Sequence, residues 1–510
     1  MKKYLYVLMC MPIYLFSQQS PTVSQDSLSI NNVKGNFGLK AMCWDLSSSK
    51  YEVPKGSGKT SIFAHENWIG GIDDGGVLRV AAQTYRQSGD DFWGGPVSDS
   101  VHHNDLTMSQ WDKAWKISRE QIDSFILFMQ NPSSFPNYII PENIQNWPGN
   151  GDTLLGQAYN LAPYIDVNSD GKYNYQNGDY PDIEGDEAIF FIRNDVGNIH
   201  TESNGKKIGL EIHYMIYAYN CENHPELNNT IFVKNTLFKR SQGTLNDTYF
   251  GLWTDIDLGL YLDDFVGCNV PLNLGYGYNG DDNDEGFAGY GLNPPAQGVV
   301  ILNKSMDKFV YYNNDFTITG NPSDPKHYYN YLSGRWKDST LITYGGNGYD
   351  TSQTAINCDY MFPGSSDIIG LGVGGSPNNP ISMPIWSEDS LFNFPADRRM
   401  LMSHGPFDLN PSNPYILEYA FIFAWDSLNL QGGRSTNLLF EYTQNIKDFY
   451  DGNLSLNCTN TSGLINENVN IKRKLIKVVD ILGRKTVPKS NTPFIEIYDD
   501  GSIEKKIIIE

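Results

Sequence analysis

The chain has 510 residues, of which 40% are hydrophobic and 19% charged, and a formal net charge of −22. That composition excludes a disordered or collagen-like chain. The excess of carboxylates argues against nucleic acid or an anionic membrane as partner and favours divalent cations.

In chain order, Lys2 and Lys3 precede an apolar run from Tyr4 to Phe16, and Ser17 is a small residue suited to a cleavage site. This pattern predicts a secretory signal peptide over residues 1–17. No later stretch reaches the roughly 20 apolar residues that span a bilayer, so no transmembrane segment is expected. Residues 18–37 are polar and read as a flexible lead. A helix is predicted over about 109–131. Ser109 and Asp112 suggest a capping box, and Trp111, Trp115, Ile122, Phe125, Ile126 and Met129 recur at helical spacing before Asn131-Pro132.

From Ala188 to Gly259 strand follows strand. Ile212, Tyr214, Ile216 and Ala218 share one face of a strand, which puts His213 on the other, exposed or at a sheet edge. Ile231, Val233 and Leu237 oppose Lys234, Thr236 and Arg240 in the next. Segments 270–298 and 312–395 are rich in Gly, Asn, Pro and Asp and read as long loops, and strands return over 399–428. The fold class expected is mainly β: antiparallel, sandwich-like domains with one notable helix and a small C-terminal β domain. The body, 38–445, is expected to hold two subdomains divided near 270–300, followed by a polar linker over 446–470.

Cys10 leaves with the signal. Cys43, Cys221, Cys268, Cys358 and Cys458 remain, with no CxxC spacing. They form neither a zinc site nor a disulfide framework, although one or two bridges can form during export, with pairing open.

The sharpest chemical motif runs from Asp166 to Asp179. Asp166, Asn168 and Asp170 stand at positions one, three and five, and Gly171 at six, as in the first half of a calcium loop. Lys172 offers its backbone carbonyl. Asn177 replaces the usual bidentate Glu, and Asp179 lies two further on. Pro163 and Pro181 rule out the flanking helices of an EF-hand. The expected ion is Ca2+ in a structural role. A second acidic group, Asp255, Asp257, Asp263 and Asp264, offers paired carboxylates for a metal or for glycoside hydrolysis, with Asp255 and Asp257 two apart in a strand. A third, Asp281, Asp282, Asp284 and Glu285, reads as solvated loop charge. No HExxH or GxSxG motif occurs. Gly56-Ser57-Gly58-Lys59-Thr60 lacks the first glycine of a phosphate loop, Val53 standing in its place.

Three strand-like runs close the chain, Ile476 to Leu482, Phe494 to Tyr498 and Lys506 to Ile509, with a hairpin signal at Asp500-Gly501. Val479-Asp480-Ile481-Leu482-Gly483-Arg484, then Ile497-Tyr498-Asp499-Asp500-Gly501, then Glu504-Lys505-Lys506 resemble the type A sorting domain of the type IX secretion system. The resemblance covers residues 471–510. It implies docking on that secretion machinery and removal of the domain, with the cargo then released or joined to surface lipopolysaccharide. The body runs DVNSDGKYNYQNGDYP, GDEAIFFIRND, GLWTDIDLG, GYGLNPPAQG and DRRMLMSHGPFDL resemble segments of large secreted proteins bearing the same domain, which implies no activity. The expectation is an exported surface or secreted protein, structural, adhesive or in contact with surface or extracellular glycans, with abundant aromatics able to stack on sugars. The alternative is a secreted hydrolase acting on polysaccharide or protein.

Overall fold

Alternating apolar residues build two antiparallel sheets that pack face to face. The computed structural model describes residues 24–86, 89–99, 101, 104–429, 433–454, 458, 475–480, 484–489, 494–498 and 503–506. They belong to two units, residues 1–459 and 460–510. The 38–445 body lies within the first of these units. The predicted signal peptide, and the linker beyond Cys458, lie outside the described residues.

The first unit is mainly β and sandwich-like. The larger sheet has nine strands; its centre is Ala296–Ile301, Tyr415–Ala424, Thr230–Lys239, Leu210–Ala218 and Glu187–Asn194, in that spatial order. The smaller sheet runs Lys308–Asn313, Arg398–Leu409, Leu245–Ile256, Ala64–Asp73 and Leu78–Ala82. Ile212, Tyr214, Ile216, Ile231, Val233 and Leu237 join one core with residues of the smaller sheet, as their period of two predicts. Met215, Tyr217 and Phe232 point to the opposite face. There they meet Ile122 and Phe125 of helix Arg119–Gln130 and Leu439 and Ile446 of helix Thr436–Tyr450. The larger sheet is thus covered on both faces, and all nine residues of Leu210–Ala218 are buried. This corrects the expectation for His213. It is 6% exposed, and its Nε2 lies 2.8 Å from Glu211 Oε1.

A seam of polar side chains crosses the core between the sheets. His65 Nδ1 lies 2.9 Å from Thr254 Oγ1, and its Nε2 lies 3.0 Å from Tyr419 Oη. Tyr214 Oη and Asn235 Nδ2 both donate to Asn67 Oδ1. Arg193 Nη1 pairs with Glu66 Oε2 at 2.5 Å, both side chains fully buried. Burial drives the His65 imidazole down to about 3, so it is neutral at physiological pH.

The glycine-rich strand Leu274–Asn279 explains why segment 270–298 is not one long loop. A Cβ on Gly275 would lie 2.7 Å from the Phe309 ring and 2.8 Å from Met402 Sδ. One on Gly277 would lie 2.4 Å from Ile256. Here glycine marks close approach of two sheets rather than a turn.

Four further boundaries differ from expectation. The notable helix spans Arg119–Gln130, capped by the reciprocal hydrogen bonds of Ser118 and Gln121. Residues 109–118 instead end a short helix, Asp105–Ser109, and form the strand Trp115–Ser118 on the edge of the larger sheet. Period and cap chemistry occurred twice within ten residues, and the second cap won. In the lead, Gln25–Leu28 and Lys34–Gly38 are paired strands, with Leu28 and Phe37 fully buried. Segment 312–395 contains helix Pro325–Leu332, whose cap Asp324 accepts from the Lys326 and His327 N–H groups. Residues 446–450 of the presumed linker complete helix Thr436–Tyr450. Beyond it, Cys458 forms a disulfide with Cys221. Cys43, Cys268 and Cys358 are buried thiols, and burial raises their pKa, which keeps them unreactive.

In the second unit, Leu475–Asp480, Phe494–Tyr498 and Ile503–Lys506 form a three-stranded antiparallel sheet. Ile497 stands opposite Ile503 across the Asp500-Gly501 hairpin signal, which itself lies outside the described residues. No helix among the described residues is long and apolar enough to cross a membrane.

One buried carboxyl gives this fold a pH dependence. Glu202 Oε1 accepts from Thr84 and Tyr328, while Oε2 is buried without a partner. Burial pushes the carboxyl up to about 7 from an ordinary 4.5. The folded chain therefore binds the extra proton between those values. Glu202's favourable contribution is complete below the unfolded value and is lost as pH rises through about 7. Glu202→Gln is expected to remove up to about 3 kcal/mol of that slope. Urea titrations at acid and alkaline pH check it; parallel stability curves for parent and variant would contradict it.

Candidate metal centre

The 166–179 loop is a closed device. Strand Tyr164–Ile165 pairs with Tyr180–Pro181, so the loop leaves and returns at one place without flanking helices. Gly171 has φ +79°, the left-handed conformation a sixth-position turn requires. Asp166 accepts from the N–H groups of Asp170 and Gly171 at 3.2 and 2.7 Å. Asp170 Oδ1 accepts from the Lys172 N–H, and Oδ2 from the Asn168 amide, each at 2.8 Å. The Lys172 N–H and then the Asn168 amide hold the Asp170 carboxyl below its ordinary range. Asp179 is fully buried and accepts from the Val167 and Asn174 N–H groups at 2.9 Å.

These bonds converge three carboxylates. Asp166, Asp170 and Asp179 each bring one oxygen within 4.8 Å of the others. The remaining predicted residues have different positions. Asn168 is tied to Asp170 and is exposed. Lys172 is exposed, and its N–H serves Asp170. Asn177 ends the 3-10 turn Tyr175–Asn177 with its side chain exposed, whereas Asp179, two residues later, belongs to the convergent group. The ligand set is all oxygen, which suits a hard cation such as Ca2+. The scaffold under it is aromatic. Tyr164 donates to Gly171 O at 2.8 Å, and Tyr173 is hydrogen-bonded to Ile144 O.

A second convergence lies at the end of the smaller sheet. Asp255 is the penultimate residue of Leu245–Ile256, and Asp257 follows that strand. Asp397 immediately precedes the neighbouring strand Arg398–Leu409. Asp255, Asp257 and Asp397 each place a carboxylate oxygen within 4.8 Å of the others, at a cavity of about 290 Å³. Arg399, directly opposite Asp255 in the ladder, lies 2.7 Å from Asp397 Oδ1 and 3.6 Å from Asp255 Oδ2. Burial, with repulsion from the neighbouring carboxylates, holds both Asp255 and Asp257 above the ordinary carboxyl range. Asp263 and Asp264 do not join them. Asp264 is buried and accepts from the Leu258 N–H at 3.0 Å. Asp397 escaped sequence reading because it lies 140 positions along the chain from Asp257, and only strand pairing brings it near.

No protein-family model matches the chain, and no curated protein matches it.

Proposed function

We propose that this is an exported protein of the outer surface or extracellular space, delivered by the type IX secretion machinery through residues 471–510. Its body serves a structural, adhesive or glycan-contact role, with Ca2+ held by the 166–179 loop. The observation that carries the calcium reading is the convergence of Asp166, Asp170 and Asp179 around a glycine turn. The Cys221–Cys458 disulfide supports the export reading, because such bonds persist in oxidising compartments and are rare in the cytosol. The order of motifs in the last forty residues supports the route.

A secreted hydrolase is the second reading, favoured by one observation: Asp255, Asp257 and Asp397 share a cavity. Both readings meet one experiment. The chain is produced in a bacterium with a working type IX system, as parent and without residues 471–510. The parent is expected at the surface or in the medium, and the truncated chain in the periplasm; equal surface amounts would contradict the route. Exported protein is then incubated with insoluble polysaccharides and denatured protein in calcium. Retention without release of soluble product is expected. Product release that disappears in Asp257→Asn would overturn that in favour of the hydrolase.

A further inference from the structure

We infer that Asp255, Asp257 and Asp397 form a second divalent-cation site, independent of the 166–179 loop. Three observations meet there. First, Asp255 is 2% exposed, and its carboxylate lines the cavity with Oδ1 buried and accepting no hydrogen bond. Its other oxygen, Oδ2, is already occupied by the Tyr85 hydroxyl and faces Arg399. A buried carboxylate oxygen without a donor is costly, and a bound cation is the partner that removes that cost.

Second, the charges do not balance. Three carboxylates converge on one guanidinium, that of Arg399, and Arg399 is held on one side by Asp397 and by the Tyr85 hydroxyl, which accepts from its Nε at 2.8 Å. With all three carboxylates ionised, two negative charges would be left, which is the charge that one divalent ion would neutralise. Asp257 takes part in no hydrogen bond or ion pair found among the described residues, so its carboxylate is free to turn toward the ion.

Third, the donors are hard carboxylate oxygens at the mouth of a cavity. Ca2+, which accepts six to eight oxygens in loose geometry, fits this set better than Mg2+, which demands a near-ideal octahedron. Protein groups supply only part of that shell. The remaining positions face the cavity, so the ion is able to take an oxygen from a ligand outside the chain.

Equilibrium dialysis of the full chain against Ca2+ alone tests this, with melting in excess chelator as a control on folding. The parent, Asp257→Asn, and the loop variant Asp166→Ala/Asp170→Ala are compared. The parent is expected to bind two ions, and each variant one. If the loop does not bind calcium, the parent binds one ion and Asp257→Asn none, which still supports the second site. Because Asp257 holds no other group in place, Asp257→Asn is expected to melt in chelator at or above the parent temperature. Calcium stoichiometry and affinity in Asp257→Asn equal to those of the parent would overturn the site. So would an Asp257→Asn chain that melts lower than the parent in chelator, since Asp257 would then have a structural partner without any ion.

Discussion

Arg193→Met is expected to destabilise the first unit by about 3–5 kcal/mol, among the largest effects of any single substitution in the sandwich. The cause is not the loss of an attractive pair as such. Arg193 belongs to the larger sheet and Glu66 to the smaller, and both are fully buried. Removing the guanidinium leaves the Glu66 carboxylate in the core without its counter-charge. Arg193 also donates to Gly38 O at 2.6 Å and lies over the Tyr214 ring, so the variant loses packing as well. The double variant Arg193→Met/Glu66→Leu is expected to recover most of the loss, because two apolar groups leave no charge stranded. Denaturant titration of the four chains of this cycle reads the result. A double variant as unstable as Arg193→Met would show that the pair itself, rather than the stranded carboxylate, sets the energy.

Loss of the Cys221–Cys458 bond is expected to cost about 2–5 kcal/mol. The two cysteines are 237 positions apart, so the bond closes a long loop in the unfolded chain, the case in which a cross-link restricts the most conformations. It also anchors the segment after helix Thr436–Tyr450 near the end of strand Leu210–Ala218. That helix covers the second face of the larger sheet through Leu439 and Ile446. Cys221→Ser/Cys458→Ser should therefore lower the denaturation midpoint, and reduction of the parent should reproduce the shift. Identical midpoints for oxidised, reduced and double-serine chains would contradict the role given to the bond.

Sandwich class and strand faces were legible because a period of two survives wherever one face is buried against another sheet: Ile212, Tyr214 and Ile216 could be placed on the core side from spacing alone. His213 was not legible, because the Phe190 and Phe238 rings that cover it belong to the two neighbouring strands and reach it only by strand pairing. Glycine was misread for a related reason. In Leu274–Asn279 it answers to the Phe309, Met402 and Ile256 side chains of another sheet, which the local sequence does not contain. Helix Pro325–Leu332 did carry a signal, Asp324 followed by proline at the first helical position, hidden inside a segment whose composition reads as loop. For the sites, the Asp166–Asp179 motif was legible because its ligands are local. Asp255 with Asp257 was half legible, and Asp397 with Arg399 was not, since those two arrive by strand pairing.

The measurement that bears most directly on the proposed calcium stabilisation of the body is thermal melting of the full chain in calcium and in excess chelator. Calcium sites of extracellular modules bind at about 10⁻⁴–10⁻³ M, so about 1 mM calcium is expected to add about 0.4–1.4 kcal/mol per site. The melting temperature should rise in calcium, and Asp166→Ala/Asp170→Ala should lose a large part of that rise while folding normally in chelator. Equal melting of the parent with and without calcium would contradict the account, as would a calcium effect untouched by the loop variant.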